Sequence, residues 1–195
     1  MDKIKVLYIT SSLAKMGGAE RNLYDIVCNI DKERFIPYVL CLKGGELSDE
    51  LRSKGIDTRV IGLEKILGMD GLKKGVGLFR FIKNEGISVV VTYHHDADIW
   101  GGIISRLAGV PVIISSRRDL GYQLERKHIW AYRIINRLYT RVISVCNAVK
   151  AEIIKREWIA EDKIITIYNG VHPQNHEIAA KDDILTLKRS LGIGP

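Results

Sequence analysis

The stretch Lys5-Val6-Leu7-Tyr8-Ile9-Thr10, followed after a short loop by Gly17-Gly18-Ala19-Glu20-Arg21, decides how this chain is read. Residues 5–10 alternate without a polar face, as a strand buried inside a parallel sheet must. From the glycine pair onward the period changes. Ala19, Leu23, Ile26, Val27 and Ile30 recur at helical spacing and predict a helix with one apolar side. The same strand-then-helix order repeats outward from this unit. Further strands are predicted at 36–42, 57–63, 87–92, 112–116, 142–145 and 163–168. Between them lie core-facing stripes: Leu72, Val76, Phe79 and Ile82, weakened by Gly75 and Gly77; Trp100, Ile103, Ile104, Leu107 and Ala108; Ala131, Ile134, Ile135 and Leu138. Gly109 and Pro111 mark the stop of one helix and the start of the next strand. A last helix is expected over 182–191. Such alternation predicts an α/β fold, a three-layer, doubly wound, Rossmann-like parallel sheet with right-handed crossovers.

Composition narrows the function. The chain has 195 residues, a hydrophobic fraction of 46% and a charged fraction of 27%, values of a globular domain rather than a disordered one. No run approaches the ~18 apolar residues of a membrane span. The apolar start at residues 4–9 is too short for a signal peptide. Cys28, Cys41 and Cys146 stand apart, without metal-ligand spacing, and read as core residues of a protein in the reducing cytoplasm. Thirty Lys and Arg against 23 Asp and Glu give a net charge of +7, which suits an anionic partner. No helix-turn-helix, zinc-finger or RNA-binding pattern is present, so nucleic acid is not the expected partner.

The loop after the first strand is neither GxGxxG nor GxxxxGK[ST], so it is no dinucleotide fingerprint and no P-loop. Gly17 and Gly18 either provide a tight turn or open the first amides of the helix to an anion such as phosphate.

Several segments, taken in order, resemble one family. They are Gly17-Gly18-Ala19-Glu20-Arg21; Asp96-Ala97-Asp98-Ile99-Trp100-Gly101-Gly102 leading to Arg106-Leu107-Ala108-Gly109-Val110-Pro111; Val145-Cys146-Asn147-Ala148-Val149-Lys150; and Lys163-Ile164-Ile165-Thr166-Ile167-Tyr168-Asn169-Gly170-Val171. The set is similar to the N-terminal domain of glycosyltransferase family 4, the retaining enzymes of GT-B fold. That resemblance implies an acceptor-side Rossmann-like domain over residues 1–170. Residues 171–195 would form an interdomain linker and the start of a C-terminal domain. The family's paired-glutamate motif belongs to that second domain and is not found here, so the piece alone is expected to be inactive.

The resemblance also implies a nucleotide-sugar donor such as a UDP- or GDP-sugar, a saccharide or lipid-linked acceptor, and neither metal nor cofactor. Gly17 and Gly18 would face the donor diphosphate. Tyr93, His94, His95, Asp96, Arg117 and Arg118 would border the acceptor cleft. Where family members often carry a histidine after the fifth strand, this sequence reads Ser115-Ser116-Arg117-Arg118-Asp119. Arg117 takes that place and becomes the candidate catalytic residue, with a planar fork of donors suited to phosphate or carboxylate. Bacterial polysaccharide or lipopolysaccharide synthesis is the implied setting.

Other readings compete at individual positions. Adjacent histidines on extended backbone point to opposite sides, which disfavours a shared metal at His94-His95. Asp96 is suited to cap the following helix. Arg126, Trp130, Arg133 and Arg137 read as one helical face, either plainly solvated or directed at the inner membrane surface or an anionic acceptor. Two other functions fit the same pattern: a stand-alone anion- or nucleotide-binding module, and a sugar-nucleotide epimerase.

Overall fold

The computed structural model describes residues 2–14, 17–122, 124–170 and 181–192. Seven strands form one wholly parallel sheet: β1 (Ile4–Ser12), β2 (Phe35–Lys43), β3 (Asp57–Val60), β4 (Val89–Tyr93), β5 (Val112–Arg117), β6 (Arg141–Ser144) and β7 (Ile164–Thr166), in the order β3-β2-β1-β4-β5-β6-β7. The order reverses beside β1, so the carboxyl ends of β1 and β4 flank the crevice where doubly wound sheets take ligands.

Strand parity divides the core. Val6 and Tyr8 of β1, with Val39 and Cys41 of β2, pack beneath α1 (Gly18–Asn29) and α2 (Glu46–Ser53) through Leu23, Val27, Leu47 and Leu51. Leu7 and Ile9 face the other way. There they meet α3 (Met69–Glu85), α4 (Gly102–Leu107), α5 (Arg126–Ile135) and α6 (Asn147–Glu157), anchored by Leu78, Ile82, Tyr132, Ile135, Val149 and Ile153. The predicted three layers are thus present, with two helices on one side and four on the other. A final helix, α7, spans Lys181–Ser190. Of the expected linker and domain start at 171–195, residues 171–180 and 193–195 lie outside the described residues.

The predicted strands are all found, with shifted ends. The third stops at Val60, because Gly62 turns the chain at φ 62°. Ile61 and Leu63 nevertheless still donate backbone bonds to Cys41 and Leu42. Gly109, at φ 77°, ends α4 as the sequence requires, with Val110 N–H returning to Ser105. The apolar stripes are less faithful. Ile26, Leu72, Val76, Phe79, Ile103, Leu107 and Ile134, all expected inside, are exposed. The sheet accepts only one narrow strip of each helix, and these residues lie beside it.

Between β4 and α4 the chain makes a wide π-turn, Ala97–Gly101. Two glycines allow it to press inward. A Cβ at Gly101 would stand 2.9 Å from Ile9 Cδ1, and one at Gly102 would collide with the Tyr139 hydroxyl. This turn carries Asp98 into the interior, where it is fully buried.

Candidate active site

A cleft of about 230 Å³ opens at the carboxyl ends of β1, β4 and β5. Ser11, Ser12, Glu20, His94, His95 and Arg118 border it, and the β5–α5 loop with α5 and α6 closes the far side. His94 sits at φ 69°, a left-handed conformation that turns the chain from strand into helix. Its Nδ1 is 3.3 Å from Thr10 Oγ1, and its Nε2 is 3.4 Å from Glu20 Oε1. His95 stacks on His128 with centroids 4.6 Å apart and places Nε2 3.5 Å from Asp96 Oδ1. The backbone here is not extended, so both histidines line the cleft, each held by its own partner. Burial, then the neighbouring His95 and Lys127, keeps the His128 pKa below the usual imidazole range. Among the described residues no group of three or more His, Cys, Asp and Glu is placed to hold a metal.

Two expectations at this edge are corrected. Tyr93 points to the α1 side of the sheet, is buried, and donates to Asn22 Oδ1 at 3.2 Å; it does not border the cleft. Asp96 does not cap the helix. It already has helical dihedrals and its side chain makes no capping bond, because the helical path begins at His94, whose carbonyl accepts from Asp98 N–H at 2.9 Å.

Arg117 lines the cleft, as expected, but from its floor rather than its rim. Parity at the end of β5 sends its side chain under α5 and α6, where only 7% of it is exposed. Its guanidinium lies 3.5 Å above the Tyr132 ring. Nε donates to Ser115 Oγ at 2.6 Å and stands 3.5 Å from Asp98 Oδ2. Nη2 donates to Asn136 Oδ1 at 3.2 Å. Nη1 lies 3.6 Å from Glu157 Oε1 and makes no hydrogen bond. Asp98 in turn accepts from Ser115 and Tyr132 at 2.8 Å each and from Thr92. Asn136 donates to Glu157 Oε2 at 3.1 Å. Burial opposes the charged guanidinium, but Tyr132, Asp98 and Glu157 outweigh it and raise the Arg117 pKa. The residue therefore lines the cleft at its floor, held by these partners, with one N–H edge left over.

Sequence reading missed the two carboxylates. Glu157 was legible in principle, since Val149, Ile153 and Glu157 form one stripe at four-residue spacing. Asp98, set between Ala97 and Trp100, gave the same kind of signal.

Arg118 points the opposite way and is the more open cation. It donates to Ser116 Oγ at 3.2 Å and to Asn169 Oδ1, which also accepts from Asn22 at 3.5 Å. Burial pulls its pKa down, and Nε has no partner. Gly17 and Gly18 are exposed at the start of α1. Gly17 is extended, at φ −101°, and Gly18 has no left-handed φ. Backbone conformation therefore does not demand glycine at either position. A Cβ at Gly18 would meet nothing within 4 Å, whereas one at Gly17 would reach the flexible tip of Glu20. Lys15 and Met16 lie outside the described residues.

The basic face drawn through Arg126, Trp130, Arg133 and Arg137 is broken up. Helix α5 ends at Ile135, so Arg137 lies beyond it in a turn. Tyr132, on the same helix, is buried. Arg133 is not free either. Its guanidinium is clasped between Trp130 and Trp158, 4.7 and 3.7 Å from the ring centroids, and Nε donates to the Arg156 carbonyl at 3.0 Å. Arg126 is exposed.

A doubly wound domain with its cleft at the strand ends and a bare helix start beside it defines a Rossmann-like class of α/β folds rather than one protein. The family is settled by comparison: residues 16–175 match Glycosyltransferase Family 4, and the chain belongs to it. It is 27% identical over 203 residues to the Escherichia coli UDP-Gal:α-D-GlcNAc-diphosphoundecaprenol α-1,3-galactosyltransferase, covering 96% of this chain and 51% of that protein. Anabaena HepE, crystallised with UDP and glucose, superposes with a TM-score of 0.75 at 20% identity, covering 97% of this chain and 50% of the other. A glycosyltransferase from Rickettsia africae gives 0.70 at 19% identity, covering 100% and 51%. The chain thus spans about half the length of the relatives it matches, and its fold is the N-terminal domain of a GT-B glycosyltransferase. UDP-GlcNAc 2-epimerases share the fold as well.

Proposed function

We propose that this chain is the acceptor-side half of a retaining glycosyltransferase that moves a hexose from a UDP- or GDP-sugar to a lipid-linked saccharide in bacterial envelope polysaccharide synthesis. The observation that carries this reading is the open start of α1. Two exposed glycines there leave amide donors bare beside the cleft, at a place where neither packing nor backbone strain calls for glycine. Such a helix start attracts a diphosphate. It would stabilise negative charge on the departing nucleotide, while His94, His95 and Arg118 fix the acceptor against it. No carboxylate of this half is assigned a covalent role, and neither metal nor organic cofactor enters the proposed reaction. The galactosyltransferase relative, whose name specifies a diphosphoundecaprenol acceptor, supports the choice of acceptor. It also favours transfer over the epimerase or simple binding-module reading. A site of action on the inner face of the membrane follows from that acceptor; among the described residues no helix is long and apolar enough to cross a bilayer.

The test is transfer of radiolabelled sugar to a diphosphate-lipid acceptor by the complete protein. Gly18→Val should lower kcat by roughly two orders of magnitude, the scale of losing one oxyanion donor, with the melting temperature unchanged. Wild-type turnover in that variant removes the diphosphate role. Turnover that survives EDTA is expected.

A further inference from the structure

A second concavity lies away from the cleft, between α3 and α4. Ile66, Gly71, Gly75, Val76, Trp100 and Ile104 enclose much of its volume of about 470 Å³. Two glycines let its walls close in on α3. A Cβ at Gly71 would collide with the Ile66 carbonyl, and one at Gly75 would stand 3.1 Å from Ile104 Cδ1. The polar atom at its floor is satisfied, since Trp100 Nε1 donates to the Gly71 carbonyl at 3.0 Å.

The mouth is unusual. Leu67, Met69, Leu107 and Leu72 are 83%, 80%, 71% and 65% exposed. Single exposed apolar residues are ordinary, but a contiguous set marks a contact surface. On α3, Met69, Leu72, Val76 and Phe79 share one stripe, while Leu78 and Ile82 serve the core. The helix is therefore apolar on two sides, and only one of them is used. Lys73 and Arg80 flank the outer stripe, Lys83 continues it, and Lys65 and Arg106 adjoin Leu67 and Leu107. None of these cations has an acidic partner among the described residues. The nearby acids are engaged: Asp70 with Lys74 at 2.7 Å, and Glu85 with Lys5 at 3.8 Å. Glu64 alone is left over at the rim.

We propose that this groove is the surface by which the chain docks on an anionic bilayer. The α3 stripe and Leu107 enter the boundary between headgroups and acyl chains, and the cations meet lipid phosphates. Charge decides the occupant. A covering helix would bury the leucines but leave the cations idle, whereas an acidic lipid surface engages both. The α5 face is the weaker candidate, because its Arg133 is already clasped by tryptophans and Arg137 lies beyond the helix, leaving Arg126 alone on it. The inference deepens the lipid-linked acceptor reading and rests on it for its purpose. Its test involves no turnover, so either can fail without the other.

The 195-residue chain is sedimented with vesicles of phosphatidylcholine, with and without phosphatidylglycerol. Wild type should pellet with the acidic vesicles and stay in solution with the neutral ones. Leu72→Ser with Leu107→Ser should weaken pelleting at least about tenfold, given the transfer energy of a leucine. Lys73→Gln with Arg80→Gln should weaken it roughly 25-fold, at about 1 kcal/mol per cation. Trp130→Ser should change nothing. These positions are exposed, so circular dichroism and melting should match wild type. Failure of wild type to pellet, or undiminished pelleting of the leucine variant, overturns the proposal. So does a self-dimer that the leucine substitutions dissolve and acidic vesicles do not compete with.

Discussion

Replacing Asp98 with asparagine isolates one charge at the heart of the domain. Asp98 Oδ1 meets the hydroxyls of Thr92 and Ser115, and both can reverse to accept from an amide nitrogen. Oδ2 faces Tyr132 and the Arg117 Nε, where the retained carbonyl oxygen can stay. The Asp98→Asn variant therefore keeps the shape and most hydrogen bonds but removes the negative charge. Arg117, 7% exposed, is left with Glu157 at 3.6 Å as its remaining counter-ion. Breaking a buried pair from one side typically costs about 3–5 kcal/mol. At about 2–4 °C per kcal/mol for a chain of this size, the melting temperature should fall by roughly 6–20 °C. The assay is thermal and urea unfolding followed by circular dichroism. Arg117→Met should be similarly destabilising, and the double variant should lose less than the sum, with a coupling above about 1 kcal/mol, beyond the ~0.5 kcal/mol tolerance for independent sites. Asp98→Asn within ~1 kcal/mol of wild type, or additive losses, would falsify the assignment of this cluster as one interacting unit.

Gly102→Ala should cost about 1–3 kcal/mol, the range for overpacking, because its methyl would strike the buried Tyr139 hydroxyl that holds the Asp98 carbonyl at 2.7 Å; an unchanged melting curve contradicts that packing. Burial pushes the Cys41 thiol up to about 11, so at pH 8 it should be the last of the three cysteines to react with a chromogenic disulfide, and rapid labelling of Cys41 in the native chain would show it is not enclosed. His128 should titrate, by NMR of its ring carbons, below the ordinary ~6.5, since burial, His95 and Lys127 disfavour its proton. A lowered folded value means the unfolded chain binds the proton first, so this contribution to stability is lost as pH falls below the unfolded value. His95→Gln should raise the midpoint without restoring it fully, burial being the larger cause; a midpoint at or above that of free histidine refutes the picture.

The layers were legible because they depend on period, and period survives in a single sequence. Lys5–Thr10 and the stripe through Leu23 and Val27 told strand from helix without any tertiary knowledge. Gly109 and Pro111 placed a boundary through backbone geometry alone. What escaped was direction. Whether Arg117 faces cleft or core depends on which side of β5 is covered, and β5 is apolar at Val112, Ile113 and Ile114, so no polar alternation orients it. Tyr93 was misplaced for the same reason, one strand away. Asp96 looked like a cap because capping preference is local, whereas the helical path had already begun at His94 through a left-handed residue that propensity does not foresee. The exposed stripe of α3 was read as core because spacing reveals an apolar face but not what lies against it.

The cluster around Arg117 also bears on strand alignment. An apolar strand can slide along its neighbours at little penalty, since every offset still buries branched side chains. In β5 charge narrows that freedom. A one-residue slip that brings Ser116 under α5 would send the Arg117 guanidinium to the α1 side and strand Asp98 and Glu157 without a cation in the dry interior. Only the opposite slip, which carries Arg118 inward, keeps a cation there, so electrostatics bars the strand from sliding one way and the adjacent arginine decides the cost of sliding the other.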